Sequence, residues 1–243
     1  MAKPLPGKEH KGVGILYITD VLGIWQNSQL IADQLAANGY TTVMPDLFNG
    51  DALELNINPV YPGNFDLMGW LQNGRNGAGP HTPKEIDPIV LDTIQYMRED
   101  LGLGKIGSVG YCFGAKVRAA STWNSISKLL TMYMGAQYVV RHFSDGIAAG
   151  FIAHPSFVEE EELAAVSGPL SIAAAEVDPI FPAENRHRSE DLLRSTGNPY
   201  QINLYSGVVH GFAVRGDTSK KIEKFAKEQA FLQAIRWFDS WLL

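Results

Sequence analysis

Lys105-Ile106-Gly107-Ser108-Val109 is an apolar run that leads into Gly110-Tyr111-Cys112-Phe113-Gly114, and the segment after it can start a helix. A strand that turns sharply into a helix forces the residue at the apex into strained backbone angles. Glycines two residues before and after the apex avoid side-chain collisions. The apex side chain then lies at a helix N-terminus, where amide groups favour a thiolate and an oxyanion. The pattern predicts a nucleophile elbow; the alternative is a buried cysteine that packs as a small hydrophobe.

Two further residues follow strand-like runs downstream. Asp178 comes soon after the apolar run 170–175, and His210 directly follows the run 200–209. The chain order nucleophile, acid, histidine is that of α/β-hydrolases. We therefore predict a triad of Cys112, Asp178 and His210. Taken singly, an Asp before Pro is usually a turn former, and a His before Gly is usually a solvated loop residue.

Composition bounds the class of protein and its partners. The chain has 243 residues, 45% of them apolar, which fits one α/β domain with a full core. With 20 basic and 26 acidic residues, a formal charge of −6 and no basic cluster, it is not expected to bind nucleic acid. We expect a small-molecule ester, lactone or thioester substrate, no membrane partner, and a monomer or weak homodimer.

The single cysteine bears on the cellular compartment. One cysteine excludes intramolecular disulfides, and a reducing compartment keeps a required thiol free. The N-terminus lacks the apolar stretch of a signal peptide, and no apolar stretch is long enough to span a bilayer. These features predict a cytoplasmic protein.

Strands and helices are predicted to alternate along the chain. The expected strands are 12–19, 41–44, 105–111, 146–154, 170–175 and 200–209, and the expected helices are 27–38, 83–100, about 182–195 and 219–242. This alternation predicts a mainly parallel, doubly wound sheet with helices on both faces, in one domain spanning 1–243. In such sheets the ligand lies beyond the C-terminal ends of the strands, where Asp20, Cys112, Asp178 and His210 all fall.

One long segment lacks any periodic pattern. Residues 47–83 are rich in glycine, asparagine and proline, and their aromatics, including Tyr61, Phe65 and Trp70, are predicted to be exposed. Irregular segments of this length commonly surround an active site. Trp25 and Trp70 are candidates for the pocket wall, although a tryptophan is as often part of the core.

Taken together, these residues make the chain resemble the dienelactone hydrolase family, most closely its fungal branch, from about residue 12 to the C-terminus. The resemblance implies an eight-stranded α/β-hydrolase fold without a metal or organic cofactor. It also implies a Cys-His-Asp triad that cleaves small lactones or esters through an acyl-thioester, as in carboxymethylenebutenolidase-like enzymes. The motifs that carry it are Asp20-Val21-Leu22-Gly23, Met44-Pro45-Asp46-Leu47-Phe48, Gly110-Tyr111-Cys112-Phe113-Gly114, His154-Pro155-Ser156, Glu176-Val177-Asp178 and His210-Gly211-Phe212.

The family pattern also suggests roles around the triad. Its founding members have a glutamate after the first strand that helps to control thiol ionisation, and Asp20 stands at that position. Family arginines that bind a substrate carboxylate include one four residues past the histidine. Here that position is Val214, and Arg215 follows it, so Arg215 is the candidate.

An oxyanion hole is expected beside the nucleophile. The backbone NH groups of Val21 and Phe113 are the candidates, because such a site uses the residue after the nucleophile and a loop that follows an earlier strand.

A further segment departs from the family pattern. Residues 117–137 separate Gly114-Ala115-Lys116 from Tyr138-Val139-Val140-Arg141, two segments that are nearly continuous in the family. As one continuous helix this insertion would be about 30 Å long, more than a helix crossing one strand needs. It is either an in-frame translated intron or a genuine lineage-specific helix. Spliced transcripts sequenced across it would decide between the two.

Two alternatives to the small-ester hydrolase stay open. One is a thioesterase that releases acyl chains in secondary metabolism, which turnover of an acyl-thioester would test. The other is a binding protein that kept the fold and lost turnover. Slow labelling of Cys112 by iodoacetamide at neutral pH would favour the binding protein, because an unactivated buried thiol reacts slowly.

Overall fold

The computed structural model of the chain describes residues 1–55, 65–75, 77–115, 139, 142–156, 158 and 160–243. Six strands of this part form one parallel sheet. They are β1 (Val13–Ile18), β2 (Thr41–Val43), β3 (Lys105–Tyr111), β4 (Ile147–Ala153), β5 (Leu170–Val177) and β6 (Tyr200–Val209). Their order across the sheet is β2-β1-β3-β4-β5-β6. The predicted parallel α/β sheet is confirmed.

Helices cover both faces of this sheet. They are α1 (Gln26–Ala37), α2 (Leu67–Asn73), α3 (Pro83–Glu99), α4 (Glu160–Ala164), α5 (Ala183–Thr196), α6 (Phe212–Arg215) and α7 (Lys221–Leu242). Because successive side chains of a strand point to opposite faces, β1 contributes to two separate apolar clusters. Ile15 and Tyr17 belong to the cluster of α1 and α7, whereas Leu16 and Ile18 belong to that of α3 and α5. This double winding places all strand C-termini at one edge.

The described part of the segment 47–83 contains regular structure that its composition did not predict. It contains α2, whose N-cap Asp66 accepts a hydrogen bond from the Gly69 amide at 2.8 Å. Among the aromatics that were predicted to be exposed, Phe65 is half-buried, and Tyr61 lies outside the described residues. For Trp70 the prediction is wrong, because its side chain is only 3% exposed.

A buried carboxylate explains the position of Trp70. Asp51 accepts hydrogen bonds from the Trp70 indole at 3.1 Å and from the Arg75 side chain at 3.0 Å, and it bonds the His81 ring at 2.8 Å. The indole ring also packs against Phe48, with centroids 5.1 Å apart. These partners lie far apart in the sequence, so local pattern alone does not reveal that the tryptophan is a core residue.

The described sheet has fewer strands than the eight that the family resemblance implies. Residues before Val13 contribute an isolated antiparallel bridge between Ala2 and Thr42, beside β2, rather than further regular strands. The predicted insertion 117–137 lies outside the described residues. Within the described ranges, no helix has the length and apolar character needed to cross a lipid bilayer.

Candidate active site

Cys112 lies at the apex of a sharp strand-to-helix turn. It directly follows β3 and begins a single 3₁₀ turn, Cys112–Ala115. Its φ angle is +51°, in the left-handed region that residues other than glycine seldom adopt. The Gly114 amide donates a hydrogen bond to the Thr19 carbonyl at 3.1 Å, which ties the turn to the end of β1. The backbone therefore has the form of a nucleophile elbow.

The two glycines that flank the elbow are required by close backbone approach. A Cβ atom at Gly110 would lie 2.6 Å from the Gly114 carbonyl oxygen. A Cβ atom at Gly114 would lie 2.5 Å from the carbonyl oxygen of Ile18. Both contacts are to backbone atoms, which cannot rotate away as a flexible side chain does. The steric argument made from the sequence applies at both positions.

Replacing Gly114 with alanine is expected to destabilise the fold by about 1–3 kcal/mol, because the new methyl group must push β1 and the elbow apart. Urea denaturation followed by circular dichroism measures the loss. Gly104→Ala is the matched control, since the nearest heavy atom to its added Cβ is 4.0 Å away. The control should stay within about 0.5 kcal/mol of the parent protein. Equal stability of the two variants would contradict the steric role of Gly114.

The structure brings the predicted nucleophile, histidine and acid together. His210 follows β6, and its Nε2 atom lies 3.1 Å from the Cys112 Sγ atom. Its Nδ1 atom lies 2.8 Å from Oδ2 of Asp178, which follows β5. All three side chains are buried. The carboxylate is thus placed to hold the imidazole with Nε2 directed at the sulfur.

The orientation of the Asp178 carboxylate is fixed by the backbone that follows it. Its Oδ1 atom accepts hydrogen bonds from the amides of Ile180 at 2.9 Å and Phe181 at 3.0 Å. These two bonds leave Oδ2 for His210. The turn formed by the residues after β5 therefore holds the carboxylate in one rotamer.

Electrostatics favour an ion pair between the sulfur and the imidazole. Burial alone would raise the pKa of Cys112, but the adjacent His210, with a smaller contribution from Arg215, lowers this pKa below its ordinary value. Burial opposes a charged imidazole as well. The Cys112 and Asp178 side chains outweigh it and raise the pKa of His210 to about 9. Together these shifts favour transfer of the thiol proton to the imidazole, which gives a thiolate beside an imidazolium.

Asp20 and Arg215 form a second charged pair next to the sulfur. Asp20 is fully buried, and its Oδ2 atom lies 3.9 Å from Nη1 of Arg215. Burial raises the pKa of Asp20, and the Arg215 charge opposes that rise. The carbonyl oxygen of Val214 accepts hydrogen bonds from Asn27 at 2.9 Å and Lys227 at 3.0 Å, which anchors the end of α6. Arg215, although one residue later than the family position, thus lies at the site.

The other predicted residues belong to the turn after β1, to the elbow and to the start of α1. Val21 belongs to the turn after β1, in which the Leu22 amide donates to Asp20 at 3.1 Å. Phe113 follows the cysteine directly, and its ring contacts Phe48 with centroids 5.3 Å apart. Trp25 is the N-cap residue of α1 and is half-buried against both apolar clusters.

The structure adds a residue to which sequence reasoning assigned no role. Ser156 lies just after β4, is 3% exposed, and has its Oγ atom 3.4 Å from the Cys112 Sγ atom. Two residues earlier, the buried His154 ring packs edge-to-face on His210, with centroids 5.1 Å apart. Burial lowers the pKa of His154 well below its ordinary value, so this ring is neutral. The available signal was the position of His154-Pro155-Ser156 at the end of a predicted strand, on the edge of the sheet where the ligand is expected.

No metal centre is found in the part of the chain that the structure describes. Within it, no group of three or more His, Cys, Asp or Glu side chains is arranged to hold a metal ion.

Comparison with known proteins shows the family of the chain. Residues 4–242 match the sequence profile of the dienelactone hydrolase family. The chain belongs to the dienelactone hydrolase family. The family and the fold support a dienelactone hydrolase-like activity, that of an ester or lactone hydrolase.

Individual dienelactone hydrolase family members and their relatives show how far the similarity extends. The hydrolase tropI of Talaromyces stipitatus is 46% identical over 232 residues, which cover 94% of this chain and 82% of that protein. Dienlactone hydrolase 1 of Gibberella moniliformis is 32% identical over 247 residues, covering 100% and 84%. The crystal structure of dienelactone hydrolase from Anabaena variabilis superposes with a TM-score of 0.59 at 12% identity, covering 96% and 88%. At that identity the structural match supports the fold alone.

Proposed function

We propose that this protein is a cysteine-dependent hydrolase of small lactones and carboxylic esters, with Cys112 as nucleophile and an acyl-thioester as intermediate. The observation that carries the proposal is the line of contacts from the Cys112 sulfur to His210 at 3.1 Å and from His210 to Asp178 at 2.8 Å. The lowered pKa of the thiol supports it further, because the thiolate is the nucleophilic form.

The first half-reaction transfers the acyl group to sulfur. The Cys112 thiolate attacks the substrate carbonyl carbon, and a tetrahedral oxyanion forms. As this intermediate collapses, the bond to the leaving oxygen breaks and the Nε2 proton of His210 passes to that oxygen. The leaving group is then a neutral alcohol or enol, which in a lactone stays attached to the acyl chain.

The second half-reaction returns the enzyme to its starting state. His210, now neutral, takes a proton from a water molecule as the water oxygen attacks the thioester carbon. The carbon–sulfur bond breaks, its electron pair stays on sulfur, and the thiolate–imidazolium pair forms again. Asp178 stabilises the imidazolium in both half-reactions. Thiolate leaves a tetrahedral intermediate more readily than an alkoxide does, so acylation succeeds only when the substrate's own leaving group is also good. This route therefore suits activated acyl groups such as enol lactones.

The neighbouring groups fit supporting roles in this scheme. The amides of Val21 and Phe113 stabilise the oxyanion, because the turn after β1 and the elbow are joined by the bond from Gly114 to Thr19. Asp20 tunes the ionisation of the thiol, since its charge raises the pKa of Cys112 while that of Arg215 lowers it.

Substrate binding is assigned to two residues beside these groups. The Arg215 side chain is 22% exposed, so its guanidinium can both contact Asp20 and donate hydrogen bonds to a substrate carboxylate. Trp25, half-buried at the start of α1, supplies an apolar wall.

Trapping the intermediate tests the function. The protein is mixed with p-nitrophenyl acetate, quenched in acid during the first turnover, digested and analysed by mass spectrometry. We expect one acetyl group on the peptide that contains Cys112, removable by neutral hydroxylamine as a thioester is. Protein previously alkylated with iodoacetamide is the control and should carry no acetyl group there. An acetyl group on an oxygen nucleophile such as Ser156, with Cys112 unmodified, would contradict the proposal.

A further inference from the structure

The turn after β4, His154-Pro155-Ser156, borders the elbow, and the reaction scheme above gives it no role. In the sheet, Ala153 at the end of β4 pairs with Tyr111 at the end of β3. The residues that follow each strand therefore lie side by side. The His154 amide donates to the Ala173 carbonyl of β5 at 2.8 Å, which fixes the first residue of the turn.

The backbone of this turn is unusual. His154 has a φ angle of +38°, in the left-handed region, although it is not glycine and precedes a proline. Both features disfavour this conformation, since a residue before proline prefers extended angles. Such conformations persist where surrounding contacts impose them, commonly at functional sites. The bend turns the chain out of the line of β4 and directs Ser156 toward the elbow.

Ser156 contacts the reacting sulfur directly. Its Oγ atom lies 3.4 Å from the Cys112 Sγ atom, while His210 Nε2 lies 3.1 Å from the same sulfur. The serine is 3% exposed, so water does not compete freely for its hydroxyl group. In the thiolate–imidazolium pair the sulfur carries no hydrogen. The hydroxyl group must then be the donor and the sulfur the acceptor.

We propose that Ser156 is a further catalytic residue, which donates a hydrogen bond to the Cys112 sulfur and stabilises it as the leaving group when the thioester is hydrolysed. The inference rests on the proposed function, because it requires a thioester at Cys112. An uncharged thioester sulfur is a weak acceptor, whereas the departing thiolate is a strong one. The bond therefore strengthens as the carbon–sulfur bond breaks and favours deacylation. The same bond makes the free thiolate a less reactive nucleophile, so it does not speed acylation.

Four variants separate this role from a packing role. Ser156→Ala removes the hydroxyl group. Ser156→Thr retains it, and Ser156→Val has nearly the shape of threonine without it. The Thr and Val pair keeps the comparison valid even where the alanine variant folds poorly. Ser108→Ala is the matched control, because Ser108 is a fully buried serine of β3 whose hydroxyl group donates to the Leu16 carbonyl instead.

Two measurements report on the hydrogen bond. In stopped-flow hydrolysis of p-nitrophenyl acetate, Ser156→Ala and Ser156→Val should slow the steady-state rate about tenfold, as expected for a hydrogen bond to a charged group. In these two variants a burst of p-nitrophenol should precede the steady state, because the acyl-enzyme accumulates. The amount released in the burst should approach one molecule per enzyme molecule. The pH midpoint of iodoacetamide alkylation at Cys112 should rise by about one unit, since the thiolate loses a donor. Ser156→Thr and Ser108→Ala should resemble the parent protein.

The possible failures are distinguishable. Should the parent protein form acetyl-Cys112 while the alanine and valine variants keep the steady-state rate and alkylation midpoint of the parent, the role of Ser156 is wrong and the proposed function stands. Equal impairment of the threonine and valine variants would also overturn it, because only shape would then matter. Absence of acetyl-Cys112 in the parent protein would instead overturn the proposed function itself.

Discussion

Replacing Cys112 with alanine is expected to lower kcat/KM for p-nitrophenyl acetate by about 10⁴-fold or more, because no other group takes over as nucleophile when an acyl-enzyme pathway is removed. The change removes only the SH group, so the fold should survive. The measurement is initial-rate kinetics on the purified variant, with thermal unfolding as the check on folding.

Cys112→Ser is the matched variant for this prediction. It keeps a nucleophilic atom at the same place but replaces the thiolate by a hydroxyl group that is not ionised near neutral pH. We expect it to be strongly impaired as well, although with a detectable residual rate. Activity of Cys112→Ala within a factor of about two of the parent would show that the reaction does not pass through this sulfur.

Replacing Asp178 with asparagine is expected to lower kcat/KM by about 10³- to 10⁴-fold, because the asparagine holds the His210 ring in the wrong tautomer. The amides of Ile180 and Phe181 donate to Oδ1, so the asparagine oxygen must stay on that side. Its NH₂ group then faces Nδ1 of His210 and donates to it. A neutral ring held in this way carries its proton on Nε2, and the imidazolium that should pair with the thiolate is disfavoured.

Two measurements check the Asp178→Asn prediction. Besides the loss of rate, the pH midpoint of Cys112 alkylation should rise, because the thiolate loses its cationic partner. Asp46→Asn is the control. Asp46 also accepts backbone amides, from Phe48 at 3.0 Å and Gly50 at 2.7 Å, but it follows β2, away from the histidine-bearing strand. Unchanged kinetics and alkylation in Asp178→Asn would exclude the carboxylate from catalysis.

The sheet and the positions after its strands were predictable because their signals are local. The run Lys105–Tyr111 and the run Tyr200–Val209 are strands with the bounds that the sequence predicts. The glycine spacing around Cys112 indicates the elbow for a steric reason that holds in the structure. The other strand bounds differ by one or two residues, as at β5, which continues to Val177.

The features that were missed depend on contacts between distant residues. Trp70 is buried because Asp51 accepts its indole hydrogen, and the two residues are 19 positions apart. Ser156 reaches the sulfur through a left-handed residue at His154, and a histidine followed by proline predicts an extended conformation instead. The contact of Arg215 with Asp20 likewise joins the ends of strands far apart in the sequence. Sequence patterns do not reveal such pairs, because their proximity depends on the order of the strands in the sheet, and that order comes from the structure.

The strand order has a consequence for how activity returns after denaturation. Cys112 and His210 are 98 positions apart, and β4 and β5 lie between their strands in the sheet. Closing so long a loop is entropically unfavourable until the intervening strands have paired. We therefore expect the contact between the Cys112 sulfur and His210 to form among the last native contacts. Ester hydrolysis should accordingly return on refolding only when the sheet is complete, later than the helical content measured by circular dichroism.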